Sequence, residues 1–345
     1  MPPPFYTSPE VQEAEIAQVF LPGWIALGRA DEIPETGDFF TTEVIGEPLI
    51  VARGPDGIRV LSNVCRHRGS RLVEGSGTTK RFLCPYHAWS YDLRGTLLRA
   101  PLVEDQPGFD RATCALPQFA TAEWMGWIFV NLDGTAPPLL PQLRALDPLV
   151  RNYHPEEMRL AGSQTEEWAV NWKGLAENFM EGYHLTQVHR STLHPMTPTR
   201  LCRKSANGPA FTTYKAHYDP AFEGRREYHS DMTTEERALS MMVWIYPGFV
   251  TAISPNSAVY MTLTPTGPQS VQTRWGVVAR GATFEGDEAA ARLAFAAAFN
   301  AEDKARLLDM QRGLNSRFAT SGPLAPPDLE GTIWDFYGYL AERLV

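Results

Sequence analysis

Two cysteine–histidine pairs constrain the fold of this chain more than any other feature. In residues 63–91, Cys65-x-His67 is followed after sixteen residues by Cys84-x-x-His87. Each half would place one thiolate and one imidazole at the tip of a hairpin loop. Thiolates are soft donors suited to ferric iron bridged by sulfide, and two imidazoles on one iron raise its reduction potential. The motif therefore predicts a [2Fe–2S] cluster with both cysteines on one iron and both histidines on the other.

A zinc site and a chance grouping of polar residues are the alternatives for this motif. Zinc motifs more often keep the cysteines in one half and the histidines in the other, whereas here each half mixes the two residue types. The flanking residues favour the cluster, because Arg-Gly-Ser follows at 68–70 and Pro85, Tyr86 and Trp89 frame the second pair. This arrangement resembles the two cluster loops of Rieske domains.

Apolar patterning divides the chain into a small all-β domain and a larger α+β domain. Residues 37–135 contain short apolar runs between Gly, Pro and Asp turns, which is typical of an antiparallel β domain. Residues 1–36 are predicted to form an N-terminal helical segment that packs on the second domain. Residues 136–345 are predicted to form that second domain, in which helices accompany one antiparallel sheet.

The spacing of apolar residues also predicts individual elements. Helices are expected at 8–20, 168–183, 288–299, 302–314 and 332–344. Strands of the second domain are expected at 241–253, 258–264 and 271–279, where apolar, β-branched and aromatic residues return. Residues 197–237 are polar and rich in Gly, Pro and Thr, so we expect a long mobile excursion there.

A second motif lies in residues 171–189, NWKGLAENFMEGYHLTQVH. His184 and His189 are five residues apart, about 500° around an ideal helix, so one helix face cannot carry both. The helix must end or bulge between them if both rings are to reach one metal ion. Taken alone, this spacing is also compatible with two solvated or core histidines at a helix end.

The whole stretch closely resembles the mononuclear-iron segment of the Rieske non-haem iron oxygenase α subunits, the family of aromatic-ring-hydroxylating dioxygenases and Rieske monooxygenases. The matching residues are Asn171, Trp172, Lys173, Glu177, Asn178, Phe179, Glu181, Tyr183, His184 and His189. Because the cluster motif lies upstream in the same order, the resemblance covers nearly the whole chain. It implies a catalytic domain of the helix-grip type, an antiparallel sheet around a long helix.

The resemblance implies a ferrous iron held by His184, His189 and a carboxylate, with open positions for O2 and substrate. In the family, the carboxylate is an aspartate near the start of a late helix. Asp303 occupies the similar place in this sequence. The other acidic candidates are Glu302, Asp309 and Glu288.

The resemblance also implies roles for two residues of the iron segment. Glu181 is expected to connect the two metal centres between subunits, by accepting hydrogen bonds from His87 of one subunit and His184 of another, and Asn178 is expected beside it as a catalytic residue. This arrangement requires a head-to-tail ring, usually a homotrimer. Electrons would come from a separate NAD(P)H-dependent reductase, possibly with a ferredoxin, because the sequence has neither a dinucleotide fingerprint nor plant-type ferredoxin spacing.

Together the two motifs predict a terminal oxygenase that hydroxylates or oxidatively demethylates a small organic substrate, a quaternary amine or an aromatic acid. Glu181 in place of an aspartate, and the stretch 330–344, favour the monooxygenase and demethylase side of the family. A ring cis-dihydroxylating dioxygenase is the first alternative, and a Rieske electron carrier or a zinc-stabilised binding module are more distant ones. Four aromatic residues of the expected strands could form cavity walls or sheet core: Trp244, Tyr246, Tyr260 and Trp275.

Charge and hydropathy exclude other classes of partner. Lys and Arg total 31 against 40 Asp and Glu, a net charge of −9, and no basic stripe suggests nucleic-acid binding. No window approaches the roughly 18 apolar residues of a membrane span. The first ten residues, MPPPFYTSPE, lack the features of a secretory signal, so we expect a cytoplasmic protein.

Overall fold

The computed structural model describes residues 1–222, 228–280 and 287–344. Its internal contacts divide the chain into a β unit, Leu27–Ala136, and an α+β unit made of Met1–Ala26 and Pro137–Val345. Residues 27–36, which we assigned to the N-terminal segment, belong by these contacts to the β unit. None of the helices among the described residues is both long and apolar enough to cross a membrane.

The β unit is built from two sheets of mainly antiparallel strands. The larger has seven strands in the order β1-β10-β9-β4-β3-β2-β5 and the smaller has the order β6-β7-β8. The strands are β1 Ile25–Arg29, β2 Asp38–Val44, β3 Glu47–Gly54, β4 Gly57–Ser62, β5 Ser76–Thr78, β6 Phe82–Leu83, β7 Ser90–Tyr91, β8 Leu97–Arg99, β9 Gln118–Trp124 and β10 Trp127–Asn131.

Tight turns set the register of the larger sheet. Val44 at the end of β2 pairs with Glu47 at the start of β3 across the two residues Ile45 and Gly46. Both have positive φ, 47° and 84°, as a type I′ hairpin turn requires, and that turn matches the twist of the strands it joins. The turn residues therefore set the pairing of the hairpin of β2 and β3.

The α+β unit contains a single seven-stranded sheet in the order β11-β17-β16-β15-β14-β13-β12, with antiparallel neighbours throughout. Its strands are β11 Arg159–Trp168, β12 Cys202–Gly208, β13 Phe211–His217, β14 Leu239–Ile245, β15 Phe249–Ser254, β16 Ser257–Gly267 and β17 Ser270–Ala279. Its helices are α1 Pro9–Glu15, continued by a π-helical turn Ile16–Phe20, then α2 Leu139–Leu143, α3 Asp147–Val150, α4 Trp172–Phe179, α5 Leu185–Val188, α6 Asp287–Leu314 and α7 Pro327–Leu344.

Several predicted elements of this unit were wrong in extent. The range 197–237, expected to be a mobile excursion, contains the strands β12 and β13. Its polar residues misled the prediction, since Thr212 and Thr213 of β13 are fully buried in spite of their hydroxyl groups. The single strand expected at 241–253 is the hairpin of β14 and β15. The two helices expected at 288–299 and 302–314 are one continuous helix, α6. The strand β11 was not predicted, because its sequence shows no alternation of apolar and polar residues.

A buried ion pair attaches the N-terminal helix to α4. Nζ of Lys173 lies 2.7 Å from Oε1 of Glu15, and both side chains are fully buried. The indole N–H of Trp172 donates to the other oxygen of Glu15 at 2.8 Å. Removing one partner of such a pair leaves an uncompensated buried charge, which typically costs about 3–5 kcal/mol. The pair therefore fixes the start of the segment that carries the second motif.

Candidate metal centres

The two histidines of the second motif stand at opposite ends of a one-turn helix. Asn171 caps the start of α4, because its side chain accepts a hydrogen bond from the N–H of Lys173 at 3.0 Å, and the helix ends at Phe179. The chain then enters α5, with His184 at its N-cap and His189 at its C-cap. The helix expected at 168–183 is thus shorter, Trp172–Phe179, and ends before His184. The two histidine rings converge to a centroid distance of 5.0 Å.

Asp303 of α6 completes a group of three potential ligands. Its Oδ1 lies 3.5 Å from Nε2 of His184 and 3.0 Å from Nε2 of His189. The ligand atoms of the three residues all lie within 4.8 Å of one another. Of the other acids considered, Asp309 pairs with Arg312 at 3.3 Å and Glu288 with Arg292 at 2.9 Å, so neither is part of this group.

The outer nitrogen of each imidazole is bonded to a second carboxylate. Nδ1 of His184 contacts Oε1 of Glu181, and Nδ1 of His189 lies 2.7 Å from Oε2 of Glu302. A carboxylate on Nδ1 holds the proton there, so that Nε2 keeps its lone pair for a metal ion. The hydroxyl of Thr192 donates to the same oxygen of Glu302 at 2.6 Å and fixes its position. The role of Glu302 was not predicted from the sequence.

These residues fit a divalent iron. Nε2 of His189 and Oδ1 of Asp303 are buried and make no hydrogen bond, although they face each other. Two imidazoles and one carboxylate are the donors of the facial triad that holds non-haem ferrous iron. Burial opposes protonation of His184, but the carboxylates of Glu181 and Asp303 outweigh it and hold the pKa of His184 above its usual value. The group therefore attracts positive charge.

The ligand group opens into a cavity of about 330 Å³. Apart from the three ligands, its polar lining includes Glu181 and Asn178, the two residues expected to be catalytic. Its apolar lining includes Phe179, Leu185, Leu193, Met196, Tyr214, Tyr218, Phe222, Met242, Phe295 and Phe299.

The aromatic residues proposed as alternative cavity walls do not line this cavity. Trp244 packs on Phe336 of α7 at a centroid distance of 4.1 Å, and the indole N–H of Trp275 donates to Glu166. The sheet-core alternative is therefore correct for these two residues. Tyr214 and Tyr218 line the cavity instead. They were not predicted, because they lie in the range 197–237 that we expected to be a mobile excursion.

The first motif forms two similar turns in the β unit. The N–H of Gly69 donates to the carbonyl of Cys65 at 3.0 Å, and the N–H of Ala88 donates to that of Cys84 at 3.1 Å. Both cysteines are 2% exposed. Burial raises the pKa of the Cys65 thiol, and the neighbouring Cys84 raises it further.

The histidines of these turns are exposed and face each other. Nδ1 of His67 lies 3.0 Å from Nδ1 of His87, and the ring of His67 stacks on Trp89 at 4.9 Å. Among the described residues, the groups whose ligand atoms all lie within 4.8 Å of one another do not include this motif. A single tetrahedral zinc ion needs such a group, whereas a two-iron cluster spans more space. Buried thiols beneath exposed imidazoles therefore fit a [2Fe–2S] cluster.

Comparison with known families decides the class of the chain. A family model for the ring hydroxylating alpha subunit (catalytic domain) matches residues 155–345, more than half of the chain. The chain belongs to this family. A second model, the Rieske [2Fe-2S] domain, matches residues 23–119 of this ring-hydroxylating α subunit. The predicted family and the predicted cofactors, a [2Fe–2S] cluster and a mononuclear iron, are confirmed.

Similar proteins include oxygenase subunits named for quaternary amines. The chain is 35% identical over 193 residues to the carnitine monooxygenase oxygenase subunit of Escherichia coli K12. The aligned region covers 55% of this chain and 52% of that protein. The chain is 35% identical over 200 residues to the glycine betaine monooxygenase oxygenase subunit of Chromohalobacter salexigens, covering 57% and 44%. The chain thus matches about half the length of these relatives.

Solved structures show the same fold. The structure of a quaternary ammonium Rieske monooxygenase with a bound inhibitor superposes with a TM-score of 0.87 at 24% identity, over 100% of this α subunit and 94% of the other chain. The predicted fold class, a small all-β Rieske domain plus a helix-grip catalytic domain, is confirmed.

Proposed function

We propose that this α subunit is the terminal oxygenase of a multicomponent Rieske system and that it hydroxylates or oxidatively demethylates a small organic substrate. The observation that carries the proposal is the cavity of about 330 Å³ into which His184, His189 and Asp303 project. A pure electron carrier has no use for such a cavity beside an iron-binding group. The relatives named for carnitine and glycine betaine favour a quaternary amine, and an aromatic acid is the second substrate class.

Each metal centre has its own set of residues in this proposal. His184, His189 and Asp303 would hold the ferrous iron, and Cys65, His67, Cys84 and His87 would hold the cluster. When bound, the iron activates O2 with electrons that the cluster delivers one at a time. Glu181 and Glu302 keep the protons of both imidazoles on Nδ1.

The cavity walls bind the substrate and limit the access of water. Phe295 and Phe299 lie on the same face of α6 as Asp303, with a centroid distance of 5.6 Å between their rings. Such rings can contact an aromatic ring by stacking or a trimethylammonium group by a cation–π interaction. Asn178 adds a polar side chain to the same wall and would orient the substrate.

We infer that Glu181 connects two centres on different subunits. It is 8% exposed and is bonded to the outer nitrogen of His184, while the imidazoles of the cluster turns are exposed. An exposed His87 of the partner subunit could donate to the same carboxylate. The proposed assembly is a homotrimer closed head to tail, which receives electrons from an NAD(P)H-dependent reductase, with or without a ferredoxin. NAD(P)H is an intracellular reductant, so we place the enzyme in the cytoplasm.

The proposal is tested by O2 uptake that depends on NADH, a surrogate reductase and a substrate drawn from betaine-like amines and aromatic acids. Demethylation releases an aldehyde, whereas a cis-dihydroxylating dioxygenase, the alternative, yields a diol that retains both oxygen atoms of O2. His189→Ala is the control, because it should keep the cluster and lose turnover. Cluster reduction without any substrate-stimulated uptake across the whole panel would contradict the oxygenase assignment.

A further inference from the structure

A second group of histidines and a carboxylate lies in the α+β unit outside the cavity. Nε2 of His154 lies 2.9 Å from Oδ2 of Asp231, and Nδ1 of His229 lies 3.4 Å from the same oxygen. The two imidazole rings face each other with a centroid distance of 4.0 Å. None of the three residues lines the cavity, so the proposed oxygenase reaction does not use them.

The backbone holds His154 in an uncommon conformation. The residue lies between two 3₁₀ turns, Arg151–Tyr153 and Pro155–Glu157, with φ 46° and ψ 58°. Few residues other than glycine adopt this left-handed region, although histidine is among those enriched there. The guanidinium of Arg280 at the end of the sheet donates to the carbonyl of His154 at 3.1 Å. The ring is therefore presented by a fixed backbone rather than by a free loop.

Neighbouring groups determine which nitrogens carry lone pairs. Both ring nitrogens of His154 face a carboxylate, because Nδ1 lies 3.3 Å from Oε1 of Glu156 and Nε2 lies 2.9 Å from Oδ2 of Asp231. A metal ion would displace the proton between Nε2 and Asp231, and the carboxylate of Glu156 can hold a proton on Nδ1 instead. The backbone N–H of Asp231 donates to Nδ1 of His229 at 3.2 Å, so that nitrogen also carries a lone pair on the side of the aspartate. Once that proton is displaced, the lone pairs of two imidazoles and a carboxylate converge on one point, where a cation can bind them together.

The charge around this group also favours a cation. Glu156 and Glu157 flank His154, with their carboxylates 3.3 and 3.7 Å from its Nδ1. Among the described residues, Glu157 pairs with the guanidinium of Arg280, whereas the carboxylates of Glu156 and Asp231 pair with the imidazoles of this group.

We propose that His154, His229 and Asp231 form a second metal site, which binds a divalent transition ion of the Zn²⁺ class. Their ligand atoms all lie within 4.8 Å of one another, compatible with one ion at bond lengths of about 2.0–2.2 Å. Two imidazoles select Zn²⁺, Ni²⁺ or Cu²⁺ over Mg²⁺ and Ca²⁺, which prefer oxygen ligands. The bound ion would tie residues 229–231, between β13 and β14, to the turn that precedes β11.

The experiment measures zinc binding by the holoprotein, with its iron and sulfide in place. Equilibrium dialysis against Zn²⁺, followed by elemental analysis, should show that the wild type binds one more Zn²⁺ than His229→Ala and His154→Ala. The iron and labile-sulfide content should be equal in all three proteins. His217→Ala is the matched control, because its ring bonds the carbonyl of Leu201 and belongs to neither group.

Thermal unfolding separates a site from adventitious binding. Zn²⁺ should raise the midpoint of the wild type and of His217→Ala and leave that of His229→Ala and Asp231→Asn unchanged, because an ion that binds only the folded state stabilises it. Equal zinc content in wild type and His229→Ala would overturn the proposal and identify the group as a proton-bridged histidine–aspartate pair. A preference for Ca²⁺ over Zn²⁺ would overturn it as well.

Discussion

His189 binds Glu302 through Nδ1 at 2.7 Å, while its Nε2 faces Asp303, the next residue of α6, at 3.0 Å. Consecutive residues of a helix point about 100° apart, so adjacent acids can reach opposite sides of one imidazole ring. One carboxylate then lies on the metal side of the ring and the other on the outer side. The sequence offered Glu302 and Asp303 as alternative iron ligands, and the structure places Asp303 on the metal side of His189 and Glu302 on its outer side.

Asp303→Ala should remove the mononuclear iron and leave the cluster. The substitution deletes the only carboxylate among the three proposed ligands, and the two imidazoles that remain bind ferrous iron far more weakly. Iron analysis should therefore lose about one equivalent per chain while the cluster absorbance is unchanged. Asp309→Ala, which removes an exposed acid paired with Arg312, is the control. Iron loss in the control and not in Asp303→Ala would mean that the wrong acid was chosen.

Glu302→Gln should retain the iron ligands but weaken their orientation. An amide can still accept from Thr192, but it no longer holds a proton on Nδ1 of His189 by charge. Loss of such an outer carboxylate typically lowers metal affinity or activity by about 10- to 100-fold. Iron affinity measured by chelator competition should fall within that range, with the cluster spectrum intact. Unchanged affinity and turnover would show that Glu302 contributes only to packing.

The grouping of His184, His189 and Asp303 could be predicted from the sequence because the stretch 171–189 and the start of the late helix resemble the iron segment of the family. The strands in the range 197–237 could not be predicted, because β13 has the polar sequence FTTYKAH and its polar groups find their partners only in the folded unit. Thr212 donates its hydroxyl to Asp335 of α7 and Thr213 donates to the carbonyl of Ala206, so both hydroxyls are satisfied inside the unit. Pairing with β12 on one side and β14 on the other makes this segment a strand.

Glu181→Gln should leave both metals bound and slow electron transfer between them. The variant keeps the size of the side chain but replaces a charge-assisted hydrogen bond to His184 with a neutral one. In the proposed trimer, the same change weakens the bond from His87 of the partner subunit. Single-turnover oxidation of the reduced cluster, followed by stopped-flow absorbance, should slow by orders of magnitude.

Two controls accompany the Glu181 prediction. Exposed Glu167→Gln should oxidise its cluster at the wild-type rate, because that residue lies on β11 and does not line the cavity. Enzyme diluted until it is strictly monomeric should lose the fast phase. A Glu181→Gln enzyme with near-normal turnover, or an active monomer, would contradict a connection between subunits.

Tyr91→Phe should lower the reduction potential of the cluster. The N–H of Arg66 donates to the Tyr91 oxygen at 3.1 Å, so the phenol proton is free to point at Sγ of Cys65, 3.5 Å away. A hydrogen bond to a cluster ligand stabilises the reduced, more negative state. One bond of roughly 1 kcal/mol corresponds to about 40 mV for a one-electron couple. A potentiometric titration followed by EPR measures the shift, and Tyr86→Phe, an exposed tyrosine of the same loops, should show none.

Glu177→Gln should stabilise the protein at neutral and alkaline pH and have little effect in acid. Tyr6 donates its hydroxyl hydrogen bond to this carboxyl group at 2.9 Å, and burial raises the pKa of Glu177 from 4.5 to about 7. Because the folded state binds the proton more tightly than the unfolded state, the contribution of Glu177 is full below pH 4.5 and is lost as the pH rises through 7. Glutamine resembles the protonated acid, so the variant avoids that loss, which amounts to at most about 3 kcal/mol.

Unfolding midpoints measured from about pH 5 to 8 should therefore diverge only towards the upper end of the range, while exposed Glu13→Gln follows the wild type. If Glu177→Gln is instead the less stable protein at pH 8, the ionised carboxylate is stabilised by Lys173 and burial does not control its pKa.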